Sequence, residues 1–176
     1  MTSSINPQIF REYDIRGIVG QDLTAESVAS IGKAIGTYIK RGGGKTMIIG
    51  RDVRTSSIEF RDILSNALNS TGCDVIDIGM VPTPVTYFAL HHFKADGGVM
   101  ITGSHNPPEY NGFKISQGVH SLYGEKVQEL KRLIDANDFE IGTGNTNQRE
   151  VLGHYMEKIC SILKISRKVK VVVDGG

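Results

Sequence analysis

Apolar residues recur along the chain in two alternating rhythms, one at helical spacing and one as short unbroken runs, and this alternation predicts a layered α/β protein. From Thr24 to Lys40, the residues Val28, Ile31, Ile35, Tyr38 and Ile39 share one helical face, and Thr24 is placed to cap it. Gly32 and Gly36 lie in the same stretch and are expected to let this helix press closely on a sheet. Gly42, Gly43 and Gly44 stop the helix, and TMIIG follows as a short strand buried on both sides. Phe60, Ile63, Leu64, Ala67 and Leu68 predict a second helix from Ser57 to Thr71-Gly72, after which CDVIDIG resumes as a strand. The prolines of VPTPVTYFALHHF suit a turn and a first helical position. GGVMI then forms a third strand, FKIS a short further one, and Val127, Leu130, Leu133 and Ile134 mark another amphipathic helix.

These elements predict a three-layer α/β/α domain over residues 1–150, with a mostly parallel or mixed sheet of about four strands. The polar tract NDFEIGTGNTNQRE offers few side chains to a core and is the expected domain boundary. Beyond it, Val151, Leu152, Tyr155, Ile159, Ile162 and Leu163 form a new helical face, and VKVVVDGG reads as a strand running into a glycine turn. A buried strand needs partners, so residues 151–176 are expected to be the first helix and strand of a truncated second domain, and the chain a fragment of something larger.

Composition narrows the function classes. An apolar share of 39% with 22% charged residues is that of an ordinary globular protein. The formal charge of +1 supplies no global field for nucleic acid or an anionic membrane, so any attraction for phosphate has to be local. No run is long enough for a spanning helix, and the opening MTSSINPQIFREYD lacks the basic-then-apolar order of a signal peptide. Cys73 and Cys160 are far apart, without metal spacing, and read as reduced thiols of a cytoplasmic protein.

Chemistry concentrates in TGSHNPP, directly after the third strand, where open α/β sheets place their ligand sites. Gly103 permits a backbone that side chains would forbid, and the two prolines stiffen the exit. Ser104 is therefore presented rather than buried, with His105, Asn106 and Lys114 nearby as groups that could relieve its hydroxyl of a proton. Two plainer readings stand beside this one. Thr102, Ser104 and Asn106 could simply satisfy a turn through their own side chains. A serine hydrolase would present its nucleophile in a G-x-S-x-G elbow, which this loop lacks.

The run TGSHNPPEYNGFK resembles the active-site serine loop of the α-D-phosphohexomutase family, and within it the phosphomannomutase/phosphoglucomutase branch. FREYDIRG resembles that branch's opening motif, and VVVDGG the strand that opens its second domain, so the three motifs cover nearly the whole chain in the family's order. The resemblance implies an isomerase that interconverts hexose 1-phosphate and hexose 6-phosphate, of mannose or glucose, through a phosphoserine and a hexose 1,6-bisphosphate. It also implies Mg²⁺ as cofactor, held mostly by a second domain absent here, and glucose 1,6-bisphosphate as activator. Ser104 matches the phosphorylated serine and the one metal ligand this chain could offer.

By the same resemblance Arg16, Lys114, His105 and Asn106 are catalytic candidates alongside Ser104, and Tyr13, Arg16 and Lys114 are substrate-binding candidates. The expected partners are a phosphohexose substrate and the remaining domains of the longer enzyme, with neither nucleic acid nor membrane. Arg51, Asp52 and Arg54 of GRDVRTSS are expected to be structural, Asp52 pairing an arginine and Ser56 or Ser57 capping the next helix. His91 and His92 lack a second ligand pair and read as core or surface histidines. Two alternatives remain open at this point, a phosphoglucosamine mutase and a stand-alone phosphate-binding or interaction module.

Overall fold

The computed structural model of the chain describes residues 5–174. Within them lie the strands β1 (Ile15–Ile18), β2 (Thr46–Arg51), β3 (Asp74–Met80), β4 (Gly97–Ile101), β5 (Tyr110–Gln117), β6 (His120–Ser121) and β7 (Thr146–Gln148). The helices are α1 (Ala25–Arg41), α2 (Ser56–Ser70), α3 (Thr83–His92), α4 (Glu125–Asp135) and α5 (Leu152–Ile162), preceded by a short 3-10 turn at Pro7–Ile9. The expected strands TMIIG, CDVIDIG, GGVMI and FKIS form the centre of the sheet, and its full order is β1-β5-β4-β2-β3-β7, with β6 paired to β5. Strands β4, β2, β3 and β7 run parallel, while β5 is antiparallel to both β4 and β1.

Helix α1 starts where the sequence expects it, because the Thr24 hydroxyl accepts from the Ser27 N–H at 3.2 Å while Ser27 Oγ accepts from the Thr24 N–H at 2.9 Å. Val28, Ile31, Ile35 and Ile39 then face inward and join α2, α4 and the strands in one large core. Each such fully buried side chain is worth about 1.5–3 kcal/mol. On the other face of the sheet, Val85, Ala89 and Leu90 of α3 close a second core with Ile48, Ile78 and Val151. The domain is thus a three-layer α/β/α sandwich.

Gly32 and Gly36 do allow close packing, but against α2 and not against the sheet. A Cβ on Gly32 would lie 2.6 Å from Ala67 Cβ, and one on Gly36 would lie 2.1 Å from Thr71 Oγ1. The cap of α2 also differs from expectation. Thr55 holds the cap position without a side-chain bond, and Ser57 Oγ donates to Asp52 Oδ1 at 2.7 Å. Ser56 Oγ and Ser57 Oγ accept from the side-chain amide of the buried Asn111, at 2.8 and 3.0 Å.

The polar tract after α4 is held mostly by hydrogen bonds and ion pairs, with Phe139 as its one described side chain against the main core, which is why hydropathy reads it so poorly. The Gly142 N–H donates to Ser70 O at 2.8 Å, the Glu140 N–H to Thr37 Oγ1 at 2.9 Å, and Arg41 pairs with Asp138 and Glu140. Strand β7 within the tract pairs with β3, Val151 is buried, and α5 rests on α3 through Phe88 and Tyr155. Residues 171–174 of the expected final strand are exposed and form no strand, and the glycine turn at 175–176 lies outside the described residues. Cys73 is buried, which pushes its thiol up, whereas Cys160 is exposed.

Replacing Gly36 by alanine tests the helix contact. Alanine gains about 1 kcal/mol of helix propensity, yet overpacking against Thr71 costs about 1–3 kcal/mol, so urea unfolding is expected to show a net loss. Adding Thr71→Ala to Gly36→Ala should recover part of it.

Candidate active site

Strand β4 is buried at all five positions and delivers the chain to the open end of the sheet. Pairing with β5 persists one residue further, the Thr102 N–H donating to Gly112 O at 2.9 Å, and the chain then turns. Thr102 Oγ1 accepts from the Ser104 N–H at 2.8 Å, and the Asn106 N–H donates to Gly103 O at 3.0 Å. Ser104 sits at the top of this turn, exposed, with φ of 54°. A side chain in that left-handed region costs about 1–2 kcal/mol, so the surroundings have to hold it there.

Two residues of GRDVRTSS do so. The Arg54 guanidinium donates to Asn106 O at 2.6 Å, Pro107 O at 2.7 Å and Tyr110 O at 2.8 Å, and its Nε lies 3.3 Å from Asp52 Oδ2. A Cβ on Gly103 would stand 2.4 Å from Arg54 Cζ, so glycine is required there by the close approach of the guanidinium. Asp52 Oδ2 also accepts from the Gly103 N–H at 3.2 Å. Burial works to raise the Asp52 carboxyl, but hydrogen bonds from Ser57, the Arg54 N–H, Thr102 and the Gly103 N–H outweigh it and hold the group below its ordinary value. The expected Asp52–arginine pair is therefore present, with Arg54 as the arginine. Arg51 lies apart, lining a hollow of about 310 Å³ with Arg61, Asp77 and Arg149.

A second cluster comes from β1 and β5. Ile15 pairs with Phe113 and Arg16 with Gly112, and because strand side chains alternate, Asp14, Arg16 and Lys114 emerge together on the face opposite Ile15 and Phe113. Asp14, nearly buried, pairs with Arg16 Nη2 and lies 3.6 Å from Lys114 Nζ. Arg16 Nη1 donates to Asn106 Oδ1 at 2.8 Å, which ties this cluster to the serine loop. Arg16 Nε is buried without a partner. His105 Nδ1 lies 3.4 Å from Ser104 Oγ, a long contact. Thus Ser104, His105, Asn106, Arg16 and Lys114 are gathered in one connected site. Tyr13 stands beside it, 71% exposed.

Residues 7–141 match the family model described as phosphoglucomutase/phosphomannomutase, alpha/beta/alpha domain I. The chain belongs to this family. It is 45% identical to the phosphomannomutase/phosphoglucomutase of Pseudomonas aeruginosa over 168 residues, 96% of this chain and 36% of that protein. It is 42% identical to a probable phosphoglucosamine mutase of Thermococcus gammatolerans over 175 residues, 95% of this chain and 38% of that protein. The crystal structure of a phosphoglucomutase/phosphomannomutase family protein from Burkholderia thailandensis superposes with a TM-score of 0.89 at 40% identity, covering 93% of this chain and 37% of that one. The chain thus spans somewhat over a third of the length of the relatives it matches.

Within this phosphoglucomutase/phosphomannomutase domain, sequence reasoning passed over Asp14 and undervalued Arg54. Asp14 had a signal, since the alternation that puts Arg16 on one face of an extended FREYDIRG puts Asp14 there too. For Arg54 the sequence signalled only the pair with Asp52, because its other partners are main-chain carbonyls, which every residue carries. Among the described residues no group of three histidine, cysteine or carboxylate side chains could hold a metal ion, and Asp14 and Asp52 are committed to ion pairs. These residues do not form a Mg²⁺ site by themselves, although the Ser104 oxygen is open. No described helix is long and apolar enough to cross a membrane.

Two measurements follow from this geometry. Ser104→Gly removes the left-handed penalty and is expected to raise stability by about 1 kcal/mol in urea unfolding. Asp52, whose folded-state carboxyl lies below the ordinary 3.8, contributes stability that is complete above that value and lost as pH falls through the lower one. The stability gap between the parent and Asp52→Asn should accordingly be widest near neutral pH and close on acidification through the folded-state value.

Proposed function

We propose that this chain is the phosphoryl-carrying first domain of a phosphohexose mutase, with residues 151–176 opening a second domain in the longer protein. One observation carries the reading: an exposed serine is held in a strained turn whose neighbour Asn106 is bonded to Arg16, which shares Asp14 with Lys114. Phosphorylation of Ser104 adds about two negative charges and three acceptor oxygens. Those oxygens compete with Asp14 for Arg16 and Lys114, two cations already gathered beside the loop in a chain of net charge +1.

In the proposed cycle a sugar hydroxyl oxygen bonds to phosphorus as the bond to Ser104 Oγ breaks, giving a hexose 1,6-bisphosphate, which then returns its other phosphoryl group to Ser104. Such transfer asks for in-line placement and charge stabilisation more than for covalent chemistry by the protein. Lys114 serves as charge stabiliser or proton carrier, Arg16 holds phosphate oxygens, His105 and Asn106 position the serine, and Tyr13 meets substrate. Mg²⁺, when bound, would balance charge at the phosphate, with the Ser104 oxygens as this domain's ligand and carboxylates elsewhere in the longer protein as the rest. Glucose 1,6-bisphosphate serves as activator by restoring the phosphoserine, and the setting is cytoplasmic.

The similarity to a phosphomannomutase/phosphoglucomutase favours mannose and glucose phosphates, and the similarity to a probable phosphoglucosamine mutase keeps glucosamine phosphate as the second reading. Apolar positions left open on α5, such as Met156 and Ile162, and the exposed Val171–Val173 support the packing of further chain there. One domain does not enclose a sugar, so this chain alone is expected to show little or no turnover. The test is intact mass spectrometry of the full-length protein before and after incubation with hexose 1,6-bisphosphate. One added phosphate, absent in Ser104→Ala, is the expected result. No phosphate on Ser104, together with labelling of Ser104 by a fluorophosphonate, would replace the mutase by a hydrolase.

A further inference from the structure

Arg54 lies outside the cluster that the proposed reaction uses, yet it directs its guanidinium almost wholly at the main chain of the serine loop. Its Nη atoms reach the carbonyls of Asn106, Pro107 and Tyr110 at 2.6–2.8 Å, with Ser104 O further away at 3.4 Å. Asp52 completes the grip from the other side. Its Oδ2 accepts from the Gly103 N–H and lies beside Arg54 Nε, while its Oδ1 accepts from Ser57 Oγ at 2.7 Å and from the Arg54 N–H at 3.0 Å. The loop is therefore fixed where it leaves β4 and again where it enters β5.

Resting on the mutase reading, we infer that Arg54, oriented by Asp52, is a positioning residue that sets where Ser104 Oγ stands during phosphoryl transfer. The two arginines on the loop differ in how they respond to a phosphate. Arg16 binds Asn106 through its side-chain oxygen and is open to recruitment by a phosphate on Ser104. Arg54 binds the same residue through its main-chain oxygen and has its donors on carbonyls and on Asp52, so its hold persists in both phosphorylation states. Lysine does not replace it, because one ammonium lacks the planar fork that spans three carbonyls and a carboxylate at once.

Arg54→Lys and Arg54→Gln test this with two readouts. In this chain, amide hydrogen exchange is expected to accelerate at least about tenfold at Ser104 and Asn106 while the amides of β2 and α1 keep their protection. In the full-length protein, kcat is expected to fall about a hundredfold, as for a misplacement on the order of 1 Å, with KM for the hexose phosphate near the parent value and no rescue by lysine. A residue that only anchored the fold would instead lower the melting temperature and the active fraction together. Parent-like exchange in the loop, or a kcat loss that merely tracks the loss of folded protein, overturns the inference. A parent protein that transfers no phosphoryl group overturns the mutase reading instead, and the exchange measurement still decides whether Arg54 holds the loop.

Discussion

A serine with a left-handed backbone at the open end of a buried strand relaxes unless the chain on both sides of it is fixed. In this domain the fixing comes from one carboxylate–guanidinium pair, Asp52 with Arg54, supplied by the segment that follows the neighbouring strand β2 and not by the loop itself. Strands β2 and β4 are adjacent and parallel, so their C-terminal ends lie side by side, and the turn after one can be gripped by residues that follow the other. Much of the rest depends on this pair. Ser57 donates its hydroxyl to Asp52, Gly103 has to lack a side chain, and Asn106 is left with its side-chain oxygen free to meet Arg16.

Electrostatics in the site are local by construction. Arg16 and Lys114 would repel each other on one strand face, and the nearly buried Asp14 between them offsets that repulsion while the serine is unmodified. On the proposed mutase reading, a phosphate on Ser104 would compete with Asp14 for these two cations.

The alternation of helical and strand rhythms made the layer order and the place of the serine loop legible, because periodicity reports burial and burial made α1, β2, α2, β3, α3 and β4. It did not report β6 or β7, which are short, polar and held by main-chain pairing, or β1, whose four residues are too few for their alternation to stand out. The same blindness hid the grip of Arg54 on the loop, whose partners are carbonyls, and reversed the reading of Gly32 and Gly36, whose neighbour across the gap is a helix. Ser104, His105, Asn106 and Lys114 were legible as a polar loop at a strand end, Tyr13 and Arg16 came from motif resemblance alone, and the sheet register explains why residues so far apart in the chain meet.

Strand β7 has a consequence beyond the site. It is the outermost strand beside β3, three residues long, with Thr146, Asn147 and Gln148 all exposed and polar. Without it, the main-chain groups of Val75 and Asp77 on the outer side of β3 would lose their partners and leave that edge open as a template for another strand. A polar tract with little to contribute to a core therefore covers the β3 edge and leaves at that end of the sheet a short, polar, exposed strand, a poor template for further pairing.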